Sequence, residues 1–245
     1  MQHFRPSLHP SPFPPEEIFI LGAGRFGYIA AKRLSRLYPD ARYTVVDAEA
    51  EKLERIRSDF GLPVRVHEAA SFLKSFSVAE SAWIIPAVPV HLAFEWLTTE
   101  LDMRGKADPL PVPQAVDSQI PNPFRTPGGT VYSSFATFLC PDSCNEPDAI
   151  CTHTGKPRQG ELFELLSRIE VPGFEVVVIR SFQLAPGVGG YPMNRLKEAL
   201  NGISGKAGSY LIGTSCRCHG VIDCLEFEIP DVGRLPLSGV TPEAL

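Results

Sequence analysis

Short apolar runs alternate with longer amphipathic stretches over the first hundred residues of the chain. Residues 17–21 (EIFIL) form an apolar run of strand length, and over 28–38 Ile29, Ala30, Leu34 and Leu37 recur at the spacing of one helical face. Pro39 and Asp40 end that helix, and RYTVVD at 42–47 predicts a second strand closing on Asp47. The rhythm repeats with a helix over 48–60 stopped by Gly61, a strand at 63–66, a short helix over 69–77, a strand over 81–86 and a helix over 90–101. Residues 82–85 are apolar throughout, as expected of a strand covered on both faces. Strands and helices alternating with short links predict a parallel sheet with right-handed crossovers and helices on its faces.

The pattern breaks at 105–129, where six prolines leave few periodic apolar positions and predict an irregular excursion across the surface. Strand-like runs resume at 130–139, 174–182 and 208–216, with helices over 161–169 and 193–200 between them. These runs are expected to extend the same sheet. The expected fold class is therefore α/β and Rossmann-like, a mostly parallel three-layer sheet extended by C-terminal strands. Along the chain this gives a proline-rich leader at 1–15, a Rossmann unit at 16–104, the excursion at 105–129, a continuation of the sheet at 130–230 and a tail at 231–245.

Between the first strand and the first helix stands GAGRFG, with Gly22, Gly24 and Gly27 at GxGxxG spacing. Gly22 permits the tight turn, Gly24 has no side chain to obstruct a pyrophosphate, and Gly27 lets the helix pack close to the strand. The helix N-terminus adds free N–H groups for the phosphates. Asp47 follows Gly27 by twenty residues at the end of the second strand, where a carboxylate accepts hydrogen bonds from ribose hydroxyls and repels the 2′-phosphate of NADP. The residues point to an adenine dinucleotide, with NAD preferred and FAD or an S-adenosyl compound as alternatives. Over about residues 17–100 the run IFILGAGRFGYIAAKRLSR…YTVVDAEAEKLERI resembles the nucleotide-binding domain of the regulatory proteins of bacterial potassium transporters and channels. Gly22, Ala23, Gly24, Arg25, Phe26, Gly27 and Asp47 match that family's glycine loop and ribose-binding acid. The resemblance implies binding of NAD(H) or ATP, and often a homodimer. His67 and Glu68 follow the third strand, where the family usually has an acidic residue.

Five of the six cysteines fall in two clusters, CPDSCNEPDAIC (Cys140, Cys144, Cys151) and CRCHG (Cys216, Cys218, followed by His219), each just after an expected strand. If those strands lie in the parallel sheet, both clusters emerge at the carboxyl edge that carries the glycine loop. Thiolates suit soft or borderline metals, so Cys140, Cys144, Cys151 and Cys218 are the expected ligands of an iron–sulfur cluster or zinc. The spacings match neither a zinc finger nor a ferredoxin run, and buried structural cysteines or metal-free redox thiols stay open as readings. Cys224, within DCLEFEI, reads as structural. Gly187, Gly189 and Gly190 mark either an anion-binding nest or an ordinary βα loop, with Arg180, Gln183 and Tyr191 as candidate neighbours, and Lys156 and Arg158 add local positive charge.

Composition narrows the function classes. A formal charge of -5 without a Lys/Arg stripe argues against a nucleic-acid partner. The longest apolar stretch, SAWIIPAVPVHLAFEWL, holds two prolines, a His and a Glu, and is not expected to insert in a membrane. With no signal-peptide pattern near the start, the expected location is the cytoplasm, where the cysteines are not a disulfide framework by default. The expected function is an NAD(H)-binding metalloprotein with a redox role, an oxidoreductase or a partner of a redox protein. The alternative is a nucleotide- or redox-responsive regulator without catalysis. No His–acid relay is legible, so the chain is not assigned as an enzyme.

Overall fold

A computed structural model of the chain describes residues 14–76 and 78–230. Most of the expected leader and the whole of the expected tail lie outside the described residues. The first half follows its pattern closely: β1 (Glu17–Leu21), α1 (Arg25–Leu37), β2 (Arg42–Asp47), α2 (Ala50–Phe60), β3 (Val64–Val66), α3 (Ala69–Ser75), β4 (Trp83–Pro86) and α4 (Leu92–Asp102). The strands β3-β2-β1-β4 pair in parallel in that order. Gly61 ends α2 in the left-handed conformation. Glu68 starts α3 by accepting the amides of Ala70 and Ser71, so its carboxylate is used as a helix cap.

The second half departs from the expected single, mostly parallel sheet. The described residues form two sheets, both mixed. β5 (Lys106–Leu110), β6 (Phe124–Arg125), β7 (Val131–Ser134), β8 (Phe174–Arg180), β11 (Gly208–Ser215) and β12 (His219–Glu228) build the second sheet. β11 is parallel to β8, and β12 is antiparallel to β11, β7 and β5. β9 (Phe182–Ala185) and β10 (Val188–Pro192) form a hairpin that joins the first sheet antiparallel to β4. The run read as one strand over 174–182 thus divides at Ser181, whose amide still bonds Ser215 O in the second sheet while Phe182 already pairs in the first. The supposed excursion contains β5 and β6. Pro109 is tolerated in β5 because that strand pairs on one side only, with β12.

Side-chain alternation sorts both sheets into layers. Phe19, Leu21, Val46 and Ile84 of the first sheet face a helical layer of α3, α4 and α6 (Met193–Ser204), and Val177, Ile179, Tyr210, Ile212, Leu225 and Phe227 of the second sheet face it from the other side. Ile18, Ile20, Val45, Trp83 and Ile85 instead pack beneath α1 and α2. Val178, Leu211, Ile222 and Cys224 pack beneath α5 (Leu162–Leu166) and a 3-10 turn at Gln114–Gln119. The order is helix, sheet, helix, sheet, helix.

The central layer carries one buried polar cluster. His91, immediately before α4, contacts Asp223 Oδ2 through Nδ1 and Thr214 Oγ1 through Nε2, each at 2.8 Å, and Thr130 donates to Asp223 Oδ1 at 2.7 Å. Thr214 and Asp223 occupy the same face of the second sheet as Ile212 and Leu225, two residues away along their strands, so the strand period fixes the pairing. Leu97 of α4 is fully buried in this shared layer. Leu97→Ala is expected to cost about 2–5 kcal/mol and to leave a single cooperative urea transition at a lower midpoint, followed by circular dichroism. Two resolved transitions would mean that the sheets unfold separately.

Candidate functional site

β1 delivers the chain into the glycine loop under tight steric control. Gly22 has φ +108°. A Cβ there would lie 2.4 Å from Ala87 O, and one on Gly27 would lie 1.9 Å from Gly22 O. A Cβ on Gly24 would meet nothing within 4 Å, which is the open approach that a phosphate needs. Gly24 is the N-cap of α1 with no side-chain cap, so the first amides of the helix are available to an anion. Arg25 and Phe26 begin the helix, and Phe26 is exposed.

Asp47 closes the other side. Its Oδ2 accepts Ala23 N at 2.6 Å and its Oδ1 accepts Glu49 N at 2.9 Å. Each carboxylate oxygen has a second acceptor direction, so the group can fix the loop and still receive ribose hydroxyls. The structure thus brings together Gly22, Gly24, Arg25, Phe26, Gly27 and Asp47, the residues the sequence singled out.

The cysteine loop after β7 reaches this place from the second sheet. Asp142 pairs with Arg25, and its carbonyl accepts Arg33 Nη1, which also bonds Pro186 O. The Cys144 carbonyl accepts the Gly187 amide at 2.9 Å and the Gln183 side-chain amide. Gly187 has φ +62°, and a Cβ on it would lie 2.0 Å from Asp142 O. The glycines at 187–190 therefore serve a hairpin turn that seats the cysteine loop, in place of the expected nest or βα loop. Tyr191 is buried in β10, opposite Ile84, and does not face the site. Arg180 lies over the rings of Phe163 and Phe182.

The two cysteine clusters meet at one end of the second sheet. Cys144 N bonds Pro141 O, which turns the chain back after Cys140, and Phe135 N bonds Cys218 O. Glu146 Oε1 accepts Arg217 N at 2.8 Å and ties the first loop to the turn of the second. Cys144 Sγ accepts Glu146 N at 3.4 Å and Thr152 Oγ1 at 3.6 Å. Cys216 Sγ accepts the amides of Cys218 and His219, each at 3.4 Å. All six cysteines are free thiols. Burial pushes the Cys140 thiol up, and the neighbouring Cys218, Cys144 and Cys151 push the same way. Burial raises Cys218, against an opposing pull from Arg158. Cys216 rises well above the usual thiol value through burial and then the Glu146 carboxylate. Cys151 is lowered, first by the Thr154 hydroxyl and then by the Thr154 and His153 amides. Cys224 is sealed under α5, with burial pushing it up to about 12. The expected ligands Cys140, Cys144, Cys151 and Cys218 are thus neighbours, but among the described residues no three His, Cys, Asp or Glu side chains stand arranged to hold a metal ion. The clusters also belong to a different sheet from the glycine loop, not to one shared carboxyl edge. Arg33 and Asp142 bridge the gap, and no spacing in the sequence marked them. His91 and Asp223 form the His–acid pair that was illegible, because 132 residues separate them.

Residues 18–101 match the family model described as the TrkA-N domain. The resemblance read from the glycine loop and Asp47 is therefore correct, and this part of the chain is a Rossmann-type TrkA-N unit. Residues 93–228 match the model AF_1314_C, described as "Uncharacterized protein, C-terminal domain". The chain is similar to an "Uncharacterized protein" of Archaeoglobus fulgidus, 28% identical over 225 residues that cover 84% of this chain and 98% of that one. No solved structure matches. Among the described residues, no helix is long and apolar enough to cross a membrane.

The loop geometry makes the two glycines behave differently on substitution. Gly24→Ala is expected to melt like the unaltered protein, since its Cβ enters open space. Gly27→Ala is expected to lose about 1–3 kcal/mol or more by overpacking against Gly22 O. Thermal unfolding of the two variants in parallel checks this, and equal melting of both would contradict the packing described.

Proposed function

The chain belongs to the AF_1314_C family, whose domain occupies more than half of it behind a TrkA-N domain, and from that premise we propose that it binds NAD(H) at Gly22–Gly27 and relays occupancy to its cysteine-bearing half. The observation that carries this reading is the contact of Asp142 with Arg25. A pyrophosphate approaching Gly24 and the start of α1 brings negative charge beside the same guanidinium, and competes with Asp142 for it. The pair is exposed, with 71% of the Arg25 side chain and 34% of the Asp142 side chain open to solvent. Exposed pairs of this kind contribute about 0–1 kcal/mol, so a dinucleotide can exchange with the carboxylate at little cost. Asp142 lies between Cys140 and Cys144, so its release removes one of the contacts that seat the loop carrying three of the thiols.

Asp47 sets the preference within this reading. A carboxylate beside the ribose accepts both hydroxyls of NAD(H) and repels an NADP phosphate. A redox role is the second reading. It rests on the free thiols of Cys140 and Cys144, which flank the Asp142 that contacts Arg25 of the glycine loop, and on the redox chemistry that such thiols support. Consumption of NADH with an added electron acceptor, abolished in Gly24→Ala, favours the redox form. Binding without turnover favours the regulatory one.

Isothermal titration calorimetry tests the shared premise. The intact chain is expected to bind NADH more tightly than NADPH. Gly24→Ala is expected to lose binding by at least about tenfold, or about 1.4 kcal/mol. Asp47→Ala is expected to weaken NADH and to narrow the discrimination against NADPH. Asp142→Ala is expected to tighten NADH by about two- to fivefold, the scale of one exposed ion pair. Failure of the intact protein to bind either cofactor would falsify the proposal.

A further inference from the structure

We propose that Cys151 is a site of reversible oxidation by hydroperoxides, with Cys144 as the thiol that closes a disulfide onto it. The proposal concerns the thiols alone and stands whether or not a dinucleotide binds.

The geometry of the cysteine loop carries it. Residues 149–158 form a narrow finger. Arg158 N bonds Ala149 O at 3.0 Å, Ile150 and Pro157 pair as an antiparallel bridge, and Cys151 N bonds Lys156 O at 2.9 Å. Gly155, at φ +66°, turns the tip back and gives its amide to Cys151 O at 2.8 Å. Cys151 is partly exposed at the root of this tip, and every residue from Thr152 to Pro157 is exposed. Two contacts fold the finger over the stretch that carries Cys140 and Cys144. The Thr152 hydroxyl reaches Cys144 Sγ at 3.6 Å, and the His153 ring stacks on Phe138, two residues before Cys140, with centroids 4.2 Å apart. The Cys144 sulfur therefore lies against the residue next to Cys151. A disulfide needs Cα atoms about 4.4–6.8 Å apart. The finger is exposed and belongs to neither sheet, so it can adjust to that range without disturbing a strand.

Chemistry sets Cys151 apart from its neighbours. The Thr154 hydroxyl, followed by the Thr154 and His153 amides, holds its thiol below the ordinary value. Burial raises Cys140, Cys218 and Cys224 instead. Cys216 accepts two amides at its sulfur, yet burial and then the Glu146 carboxylate keep its proton in place. The thiolate is the nucleophile, so Cys151 reacts first, and a second thiol close by is what turns a first oxidation into a reversible one. The Cys151 thiolate attacks an oxygen of the hydroperoxide, the O–O bond breaks, and the departing alkoxide takes a proton and leaves as an alcohol, or as water from hydrogen peroxide. Cys151 is then a sulfenic acid. The Cys144 sulfur gives up its proton and attacks the Cys151 sulfur, the S–O bond breaks, and water leaves. In total two thiols lose two electrons and two protons, and the hydroperoxide becomes an alcohol and water. Exchange with a small dithiol returns both thiols. The Cys144 carbonyl holds Gly187 and Gln183, and Asp142 contacts Arg25, so the disulfide forms in the stretch that is seated beside the glycine loop.

The test uses the full chain, reduced, freed of reductant and kept with a chelator. Iodoacetamide at neutral pH, read by peptide mass spectrometry, is expected to label Cys151 at least about tenfold faster than Cys140 or Cys216. An equimolar dose of hydrogen peroxide, followed by blocking of the remaining thiols, is expected to give a Cys144–Cys151 disulfide that dithiothreitol reverses, with Cys216 and Cys224 recovered as blocked thiols. In Cys144→Ser a dimedone adduct of Cys151 is expected to accumulate in its place. In Cys151→Ser the other thiols are expected to survive the same dose, and in Cys140→Ser the disulfide is expected to form unchanged. Circular dichroism checks the fold of each variant, and the labelling and peroxide arms on the unaltered chain decide the matter where a variant does not fold. Labelling of Cys151 no faster than of Cys140, or survival of all thiols at a dose that oxidises free cysteine, overturns the proposal. A first disulfide from Cys151 to Cys140 or Cys218 overturns the assignment of Cys144. None of these readouts contains a dinucleotide, so failure here is distinct from failure of the calorimetry on NADH.

Discussion

Two sheets share one layer of helices, and everything else in the molecule is arranged around that constraint. α4 and α6 are covered on both sides, so they need apolar residues on two faces. α4 supplies Leu92, Ala93, Trp96, Leu97 and Leu101, and α6 supplies Met193, Leu196, Ala199, Leu200 and Ile203, all buried in one cluster with both sheets. A helix that served one sheet would show a single stripe. The interior of such a layer leaves no water for stray polar groups, which is why His91, Thr214, Asp223 and Thr130 satisfy one another there.

The same constraint explains how a loop from the second sheet arrives at the glycine loop of the first. With one residue, Ser181, between β8 and β9, the chain steps from one sheet to the other without a crossover helix. The β9–β10 hairpin then projects beside α1. It offers Gln183 and Gly187 as donors to the Cys144 carbonyl and leaves Pro186 O for Arg33. The cysteine loop is thus seated on a hairpin that belongs to the sheet carrying the glycine loop, although its own strand belongs to the other.

The first half was legible because each element carried a local signal. Parallel strands such as β1 and β4 are apolar on both faces, and Gly22 and Gly27 stand where the turn leaves no room for a Cβ. The second half lacked such signals. β12, the longest strand, interrupts its apolar positions with Asp223 and Glu226, of which Asp223 is paired internally and Glu226 is exposed. β5 contains a proline that only an edge strand accepts, and β10 begins VGG, with less side chain than a strand usually shows. Sheet membership is also a long-range property: nothing local distinguishes Arg180 in one sheet from Phe182 in the other. The cysteine clusters were legible as a pair. Their partners Glu146 and Asp142 were not, because each acts on a residue distant in sequence, and Arg158 was legible only as local positive charge.

The glycine loop is consequently buttressed from two directions, by the second half of the chain and by a segment anchored to it. On one side Asp142 holds Arg25. On the other, Ala87 bonds Leu21 O through its amide and leaves its own carbonyl against Gly22, so that a Cβ at Gly22 has no room. Ala87 lies four residues before His91, whose ring is anchored to two strands of the second sheet. The segment from Ala87 to His91 therefore ties the floor of the glycine loop to that sheet, through a buried pair. The two matched families overlap at 93–101, nearly the whole of α4, just past this segment. A Rossmann unit of this kind has its loop position fixed by contacts from the domain that follows it, which is the physical requirement for coupling a nucleotide to anything that domain carries.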